Sequence, residues 1–332
     1  MNDLVKTKNF TVVIPSRNRP ELLRVAIESV LMQTHNNVEV LVVNDGSDGD
    51  NEQAYIELSK EFTENVRFLN LEHTPNGHGP SGAINRGVAA AQGRFVTFLD
   101  DDDYWTDSGH LERAWEALKN DDSDAYYSNQ SAYFEDQKVA GPLWLEGLDK
   151  IIESHDRPDS EGVYTATVAD LMACNGFAHL NTSIIRRSLY TRIGGMDEAI
   201  RYECEWDLFF RTADQGENIR FHPAVVSRHN APDPNKSVNV STGISMLQKL
   251  LYRAYVLDKA MLFTEAPEIE KKARNHKTYT LKKMAEILAQ DGRYGRAHFY
   301  ARQASTSSVD LKWLLYSIYL WGRKMLKIRN KV

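Results

Sequence analysis

The stretch VTFLDDDDYW, Val96 to Trp105, sets four consecutive aspartates directly behind a run of strand-forming residues. Like charges about 4 Å apart repel by roughly 1 kcal/mol in water and by several times that near a protein interior. Something must offset that cost. Hard oxygen ligands on short neighbouring side chains suit a divalent cation such as Mg2+ or Mn2+. One or two carboxylates then hold the ion, and phosphate oxygens of a ligand fill much of its octahedron. The cluster is therefore a candidate metal–diphosphate site. A solvated acidic turn capping the next helix is the plainer reading, and Mg2+-dependent phosphatases also place paired aspartates after a strand. Two other chemistries are disfavoured. His73, His78, His110 and His179 lack the pair spacing of a zinc site. The segment NGHGPSG, Asn76 to Gly82, lacks the Lys-Ser/Thr of a phosphate-binding P-loop.

The elements that must position the aspartates are readable. FTVVIP, VEVLVVND, VRFLNLE and RFVTFLD are apolar runs of strand length. Between them RPELLRVAIESVLMQT, NEQAYIELSKEF and PSGAINRGVAAAQG carry apolar residues at helical spacing, with Pro20 suited to a first turn and Gly93 to a stop. Strand–helix alternation with apolar strands predicts a parallel sheet covered on both faces. Ligands of such sheets collect at the carboxyl ends of strands, where Pro15, Asp45 and Asp100 fall. From Asp107 to Pro232 the pattern is mixed: strands at DAYYSNQSAYF, NTSIIRR and IRFHPAVVSRHN, helices at VADLMACN and CEWDLFFRTADQG. After Ser241 the chain reads as helices, so a boundary is expected near Thr242.

The chain has 332 residues, 42% hydrophobic and 26% charged, which suits one large or two globular domains. A net charge of −6 argues against nucleic-acid binding. Two cysteines, Cys174 and Cys204, make no disulfide framework, and a reduced, cytoplasmic compartment is expected. No signal-peptide stretch or membrane-spanning run is read. The tail from Arg302 is basic and aromatic: Lys312, Arg323, Lys324, Lys327, Arg329 and Lys331 interleave with Trp313, Tyr316, Tyr319, Trp321 and leucines. Such a helix can lie on the anionic inner face of a membrane. Packing on its own domain or a homo-oligomer contact are the plainer alternatives.

TVVIPSRNRPELLRVAIESVLMQT, VEVLVVNDGSDGDN, SGAINRGVAAAQGRFVTFLDDDDYW, RIGGMDE and CEWDLFFR occur in that order. Together they resemble family 2 glycosyltransferases, over roughly Phe10 to Ser241. The resemblance implies an α/β, GT-A Rossmann-like fold: a mixed, mainly parallel sheet flanked by helices, with a helical C-terminal extension. Residues 1–241 would be the transferase domain, its nucleotide half about 1–105 and its acceptor half about 106–241, and 242–332 the helical region. Pro15 and Arg17 match the loop against the nucleotide base. Asp45 matches the second acid before GS that hydrogen-bonds the pyrimidine, the first being Asn44 here. Ser81, Gly82 and Asn85 match the helix start lining the nucleotide and sugar. Asp100 and Asp102 fall on the fixed positions of the Asp-x-Asp-Asp pattern and Asp101 on the variable one. Asp102 is then the first metal ligand, with Asp100 beside ribose and metal. Asp103 would orient the sugar or the loop, and Trp105 would pack under it.

The family takes its general base from an acidic pair at a helix start. Alignment puts Glu205 on the base position, where Asp is usual, and Cys204 on the preceding Glu; Asp207 and Glu203 are the alternatives. VVSRHN and KSVNVS resemble a segment folding over the diphosphate. His229 would be a third metal ligand or phosphate contact and Arg228 a phosphate partner, with Lys236, Ser237 and Ser241 in a closing loop. Residues 179–181 fall where an acceptor enters, and GGMDE is read as a structural turn. The expectation is an inverting transferase using Mn2+ or Mg2+ and a nucleotide-sugar donor, UDP-linked, with a glycan or lipid-linked acceptor in surface polysaccharide synthesis. A sugar-phosphate nucleotidyltransferase would instead show glycines in IPSRNRPELL. An inactive sugar-nucleotide-binding module would have lost the acids near Glu205.

Overall fold

The computed structural model describes residues 8–120, 122–139, 144–233, 240–307 and 310–329. The strands are β1 Phe10–Ser16, β2 Val38–Asn44, β3 Val66–Asn70, β4 Phe95–Phe98, β5 Tyr104–Trp105, β6 Ala125–Phe134, β7 Gln137–Lys138, β8 Tyr164–Ala166, β9 Ser183–Arg186 and β10 Ile219–Asn230. The helices are α1 Pro20–Leu31, α2 Gly49–Glu61, α3 Pro80–Ala90, α4 His110–Leu118, α5 Leu148–Ile152, α6 Val168–Ala173, α7 Arg187–Arg192 and α8 Cys204–Gln215. They continue with α9 Val240–Gly243, α10 Met246–Phe263, α11 Pro267–Gln290, α12 Tyr294–Ser307 and α13 Leu311–Arg329.

One mixed, mainly parallel sheet runs in the order β3-β2-β1-β4-β9-β6-β10-β5, with β7 on β6 and β8 on β10. Strand β1 is apolar on both faces because both are covered. Val12 and Ile14 join Leu23 and Ile27 of α1, Leu58 of α2 and Leu111 of α4 in one core. Val13 joins Ala83 and Ile84 of α3, Leu189 of α7 and Leu208 of α8 in the other. Each fully buried Leu or Ile contributes about 1.5–3 kcal/mol. Helix α3 ends at Ala90 with Ala91 as its cap, and Gly93, in the turn before β4, marks a close approach to β1: a Cβ there would lie 2.4 Å from the Thr11 amide nitrogen.

Sheet polarity decides what meets the aspartates. Strands β1, β2, β3 and β4 are mutually parallel. Strand β9 runs antiparallel to β4 and to β6, and β10 runs parallel to β6. The carboxyl ends of β1, β2, β4, β6 and β10 therefore share one edge with the amino end of β9. The loop after β4, the turn before β9 and the end of β10 are brought together there, although they lie about 80 and 130 residues apart in sequence. The sequence reading found the long strands and helices. It passed over β5, β7 and β8, because two- and three-residue strands are too short to show a period, and over the helices α4, α5 and α7.

The chain divides into two compact units, Met1–Asp233 and Pro234–Val332. Lys236 and Ser237, and the side chain of Ser241, lie outside the described residues. In the second unit α10 starts on a capping box of Ser245 and Gln248. Its helices pack through Ala285, Leu288, Ala297, Ala301 and Leu320. Among the described residues no helix is long and apolar enough to cross a membrane.

Candidate active site

The loop Asp100–Asp103 is held from three directions. Asp103 is fully buried. It accepts from Asn181 Nδ2 at 2.6 Å, from the Asn230 backbone N–H at 2.6 Å and shares a hydrogen with His229 Nδ1 at 2.7 Å. The Asn181 side-chain oxygen accepts the Asp100 backbone N–H at 3.0 Å, and Asn181 Nδ2 also donates to Gln130 Oε1. Asn230 Nδ2 donates to the Asp102 carbonyl at 2.6 Å. Trp105, buried beneath the loop, donates from its indole to the Asn181 carbonyl at 2.8 Å.

The other three carboxylates are less satisfied. Asp101 accepts from Ser16 Oγ at 2.6 Å and from Arg19 Nη1 at 3.3 Å; Asp102 accepts from the same Arg19 nitrogen at 2.9 Å. Burial, then repulsion from Asp103, Asp102, Glu205 and Asp101, drives the Asp100 carboxyl well above its ordinary pKa. Burial and Asp102 raise Asp101 to about 6, against the pull of Arg19. Burial and Asp103 raise Asp102. One oxygen each from Asp100, Asp102 and Asp103 lies within 4.8 Å of the others. Converging carboxylates held uncomfortably anionic fit a divalent cation. The Asp103 oxygens are already bonded, so Asp100 and Asp102 are the better placed pair. For His229, burial lowers the pKa, but the hydrogen bond and charge of Asp103 leave it net raised.

Across the gap stands α8. It begins after Glu203, whose φ of +67° turns the chain sharply. Glu205 lies in its first turn, and burial raises its carboxyl above the usual range. The Cys204 thiol, beside Ser81 at the start of α3, is also pushed up by burial. His179 Nε2 is 4.0 Å from Asp100 Oδ2 and 4.0 Å from Glu205 Oε1, so one ring nitrogen stands between the two carboxylates. Burial, then the nearby His229, lowers the His179 pKa to about 3. Asp207 is turned away. It is buried and paired with Arg211, whose Nη1 donates to the Ile193 carbonyl. Its carboxylate thus ties α8 to the end of α7 and does not face the gap.

The residues expected to meet a nucleotide line the ends of β1 and β2. Pro15 lies within β1. Arg17 donates to the Thr74 carbonyl at 2.9 Å. The Asp45 oxygens accept the backbone N–H of His78 and of Gly79, and one pairs with His78 Nδ1 at 2.7 Å. The loop before α3 thus closes over Asp45, and a ligand reaching that carboxylate must displace His78. Gly77 permits this closure: a Cβ there would lie 2.5 Å from Asp45 Oδ2 and 2.7 Å from Arg17 Nη1. Asn85 is not turned to the gap. Its amide bonds Met196 at both backbone N and O, the Tyr190 hydroxyl and Glu198, locking the GGMDE turn. Arg228 lies 4.4 Å over the Tyr133 ring and donates to the Glu135 carbonyl and Asn230, away from the aspartates. Sequence reading missed Ser16, Arg19 and Asn230. For Arg19 the signal was present: a second cation beside Arg17 at the end of β1.

A mixed sheet with an acidic loop at its strand ends and a carboxylate at a facing helix start is the architecture of GT-A glycosyltransferases. S. aureus TarS in complex with UDP-GlcNAc superposes with a TM-score of 0.60 at 16% identity, over 94% of this chain and 79% of that one. The mannosyltransferase PcManGT from Pyrobaculum calidifontis, in complex with GDP-Man and Mn2+, gives 0.59 at 16%, over 99% and 89%. At such identities the likeness establishes the fold. The family model for Glycosyl transferase family 2 matches residues 11–188, more than half of the chain, and the chain belongs to that family. Succinoglycan biosynthesis protein ExoW of Rhizobium meliloti is 31% identical over 205 residues, 60% of this chain and 62% of that protein. A GalNAc(5)-diNAcBac-PP-undecaprenol beta-1,3-glucosyltransferase of Campylobacter jejuni is 39% identical over 94 residues, 28% of this chain and 29% of that protein. The chain spans less than two thirds of the length of these curated relatives. Family membership sets aside the nucleotidyltransferase reading.

Because Asn181 bonds Asp103, Asp100 and Gln130 at once, Asn181→Ala strands buried polar groups. We expect a loss of about 2–3 kcal/mol in urea unfolding. A change within about 0.5 kcal/mol, as for a surface site, would show that the loop does not depend on this clamp.

Proposed function

We propose that the protein is an inverting, cation-dependent glycosyltransferase moving a sugar from a UDP-linked donor to a hydroxyl of a glycan or lipid-linked acceptor in surface polysaccharide synthesis. The observation that carries this reading is the set of mutually repelling carboxylates facing Glu205 across one imidazole. The names of ExoW and the Campylobacter glucosyltransferase, and the UDP-GlcNAc in the TarS structure, support the pathway and donor class.

Asp100, Asp102 and His229 would hold Mn2+ or Mg2+. His229 fits because Asp103 occupies its Nδ1 and orients Nε2, as carboxylate–histidine pairs do for metal ligands. The cation supplies neutralisation of the charge that builds on the departing diphosphate. Arg17, with Pro15 and Asp45, flanks the base, and Ser81 flanks the sugar side. Asp101, fixed by Ser16 and Arg19, shapes the loop. Glu205 takes the proton of the acceptor hydroxyl as its oxygen bonds the anomeric carbon. The bond from that carbon to the diphosphate oxygen breaks on the opposite face, and its electron pair leaves with the diphosphate. Asp207, held by Arg211, serves the fold of α8.

Incubation with UDP-sugars and GDP-mannose plus Mn2+, followed by assay of free nucleoside diphosphate, tests the reading. Turnover is expected to disappear with a chelator and to fall at least about 100-fold in Asp102→Asn. Unchanged turnover in both would overturn cation dependence. Tight donor binding without turnover would favour the inactive binding module.

Glu205 must be ionised to act, and burial raises its pKa. The rate should therefore fall as pH drops through that raised value, placing the acid limb of kcat above the free glutamate value of about 4.3. Glu205→Gln should cost about 100- to 10,000-fold in kcat with nucleotide affinity kept. An acid limb unmoved from about 4.3 would argue against Glu205 as the base.

We assign the outer face of α13 to an anionic membrane surface. Leu311, Leu314, Leu315, Ile318, Met325 and Leu326 repeat at helical spacing and are all about half exposed or more, with Lys312 and Lys324 exposed beside them. Sedimentation with phosphatidylglycerol vesicles should deplete the protein, salt should weaken binding, and Leu315→Asp with Ile318→Asp should abolish it. Absence of vesicle binding together with self-association that the same variant breaks would make this face a homo-oligomer contact instead.

A further inference from the structure

His179 has a use beyond filling the space between two carboxylates. It precedes the single turn Leu180–Thr182, and its Nδ1 accepts the Asn181 backbone N–H at 3.3 Å. A ring nitrogen that accepts from an amide carries no proton, so the hydrogen of the neutral ring sits on Nε2. The residue is anchored at its backbone as well: its carbonyl accepts from Thr182 Oγ1 at 3.2 Å and Ser183 Oγ at 2.7 Å. The Trp144 ring, 5.6 Å away edge-on, and the His229 ring, 5.2 Å away, wall it in. Ring orientation and tautomer are thus both fixed.

The donor that results has no acceptor. Asp100 Oδ2 and Glu205 Oε1 both stand 4.0 Å from Nε2, beyond hydrogen-bond reach. Among the described residues no other acceptor is bonded to it. Two hydrogen-bond lengths exceed 4.0 Å, so one oxygen can reach both Nε2 and Glu205 Oε1. An oxygen seated against Nε2 must accept a hydrogen from it, and beside Glu205 it must donate one. A hydroxyl does both; an ether, a phosphate oxygen or a cation does not. The attacking oxygen of a transfer must also stand between the base and the cation side, which is where this gap lies.

We propose that His179 Nε2–H holds the attacking hydroxyl, donating to one lone pair of its oxygen while Glu205 accepts its proton, so that the other lone pair faces the anomeric carbon. This rests on the transferase reading above. No bond to His179 forms or breaks, and the proton passes to Glu205. In donor hydrolysis water occupies the same place.

Two side chains separate the ring's two nitrogens. His179→Asn keeps an acceptor near Nδ1 for the Asn181 N–H and removes the Nε2 donor; His179→Gln restores a donor near Nε2. With UDP-GlcNAc, the other UDP-sugars and GDP-mannose as probes, hydrolysis in Mn2+ should fall about ten-fold in kcat for His179→Asn. KM for the donor and UDP affinity by calorimetry should stay unchanged, and His179→Gln should recover most of the rate. In the wild-type protein, imidazole 15N spectra with Mg2+ should show His179 protonated at Nε2 and bare at Nδ1. The opposite tautomer overturns the inference, as does equal kcat in His179→Asn at unchanged UDP affinity. A raised donor KM at unchanged kcat also overturns it, because the contact would then be to the transferred sugar. If the wild type hydrolyses none of these donors, the transferase reading fails and the inference falls with it, a result distinct from the others because it appears before any substitution.

Discussion

The arrangement depends on one constraint: four adjacent carboxylates at the end of a buried strand cannot all be satisfied by the chain. Asp103 is, by three donors from Asn181, His229 and Asn230. Asp101 is met in part by Ser16 and Arg19. Asp100, Asp101 and Asp102 are all raised by burial and by their neighbours' charge, and oxygens of Asp100 and Asp102 converge with one of Asp103. A charge-assisted hydrogen bond is roughly twice as strong as a neutral one, so fixing Asp103 fixes the loop. The repulsion that remains is directed at a single place, and it favours a cation there.

The sheet explains why the clamp is possible. In a purely parallel sheet this edge would receive only the carboxyl ends of strands. Here β9 reverses direction between β4 and β6, so its amino end, with His179 and Asn181 just before it, arrives beside the carboxyl end of β4. Strand β10 then runs parallel to β6 and delivers His229 and Asn230 to the same edge. The shifts in register along β10, around Pro223, fall before that end, so the ladder is regular again from Ser227 to Asn230. Backbone direction, more than any loop, sets the geometry of the candidate site.

What could be read without coordinates follows from this. The four aspartates and the acids at the start of α8 are local patterns, and the apolar strands and amphipathic helices around them show their periods over seven to thirteen residues. Asn181 and Asn230 carry no such mark, because their meaning comes from partners about 80 and 130 residues away in sequence. Asn85 shows the converse. Its place at the start of α3 suggested a ligand contact, but Met196, Tyr190 and Glu198 arrive from a distant turn and take up its amide. Asp207 was separated from Glu205 by the helix itself: two positions apart on α8 they point to different sides, and Arg211, one turn on, takes the inward one.

The two halves of the candidate site are built differently, and the difference has a physical reason. On the side proposed for the cation, the donors from Asn181, His229 and Asn230 converge on Asp103, and Asp100 and Asp102 are held beside it by charge as much as by hydrogen bonds. On the side proposed for the acceptor, the groups around the gap are fixed in advance: His179 by its cap and ring walls, Glu205 by the first turn of a helix that Asp207 and Arg211 anchor. A ligand bound through ionic contacts tolerates adjustment, because the Coulomb energy changes slowly with distance. A hydroxyl that must present one lone pair to carbon does not, because small errors in position and angle at the reacting oxygen cost large factors in rate. The side that needs direction is the side the fold makes rigid.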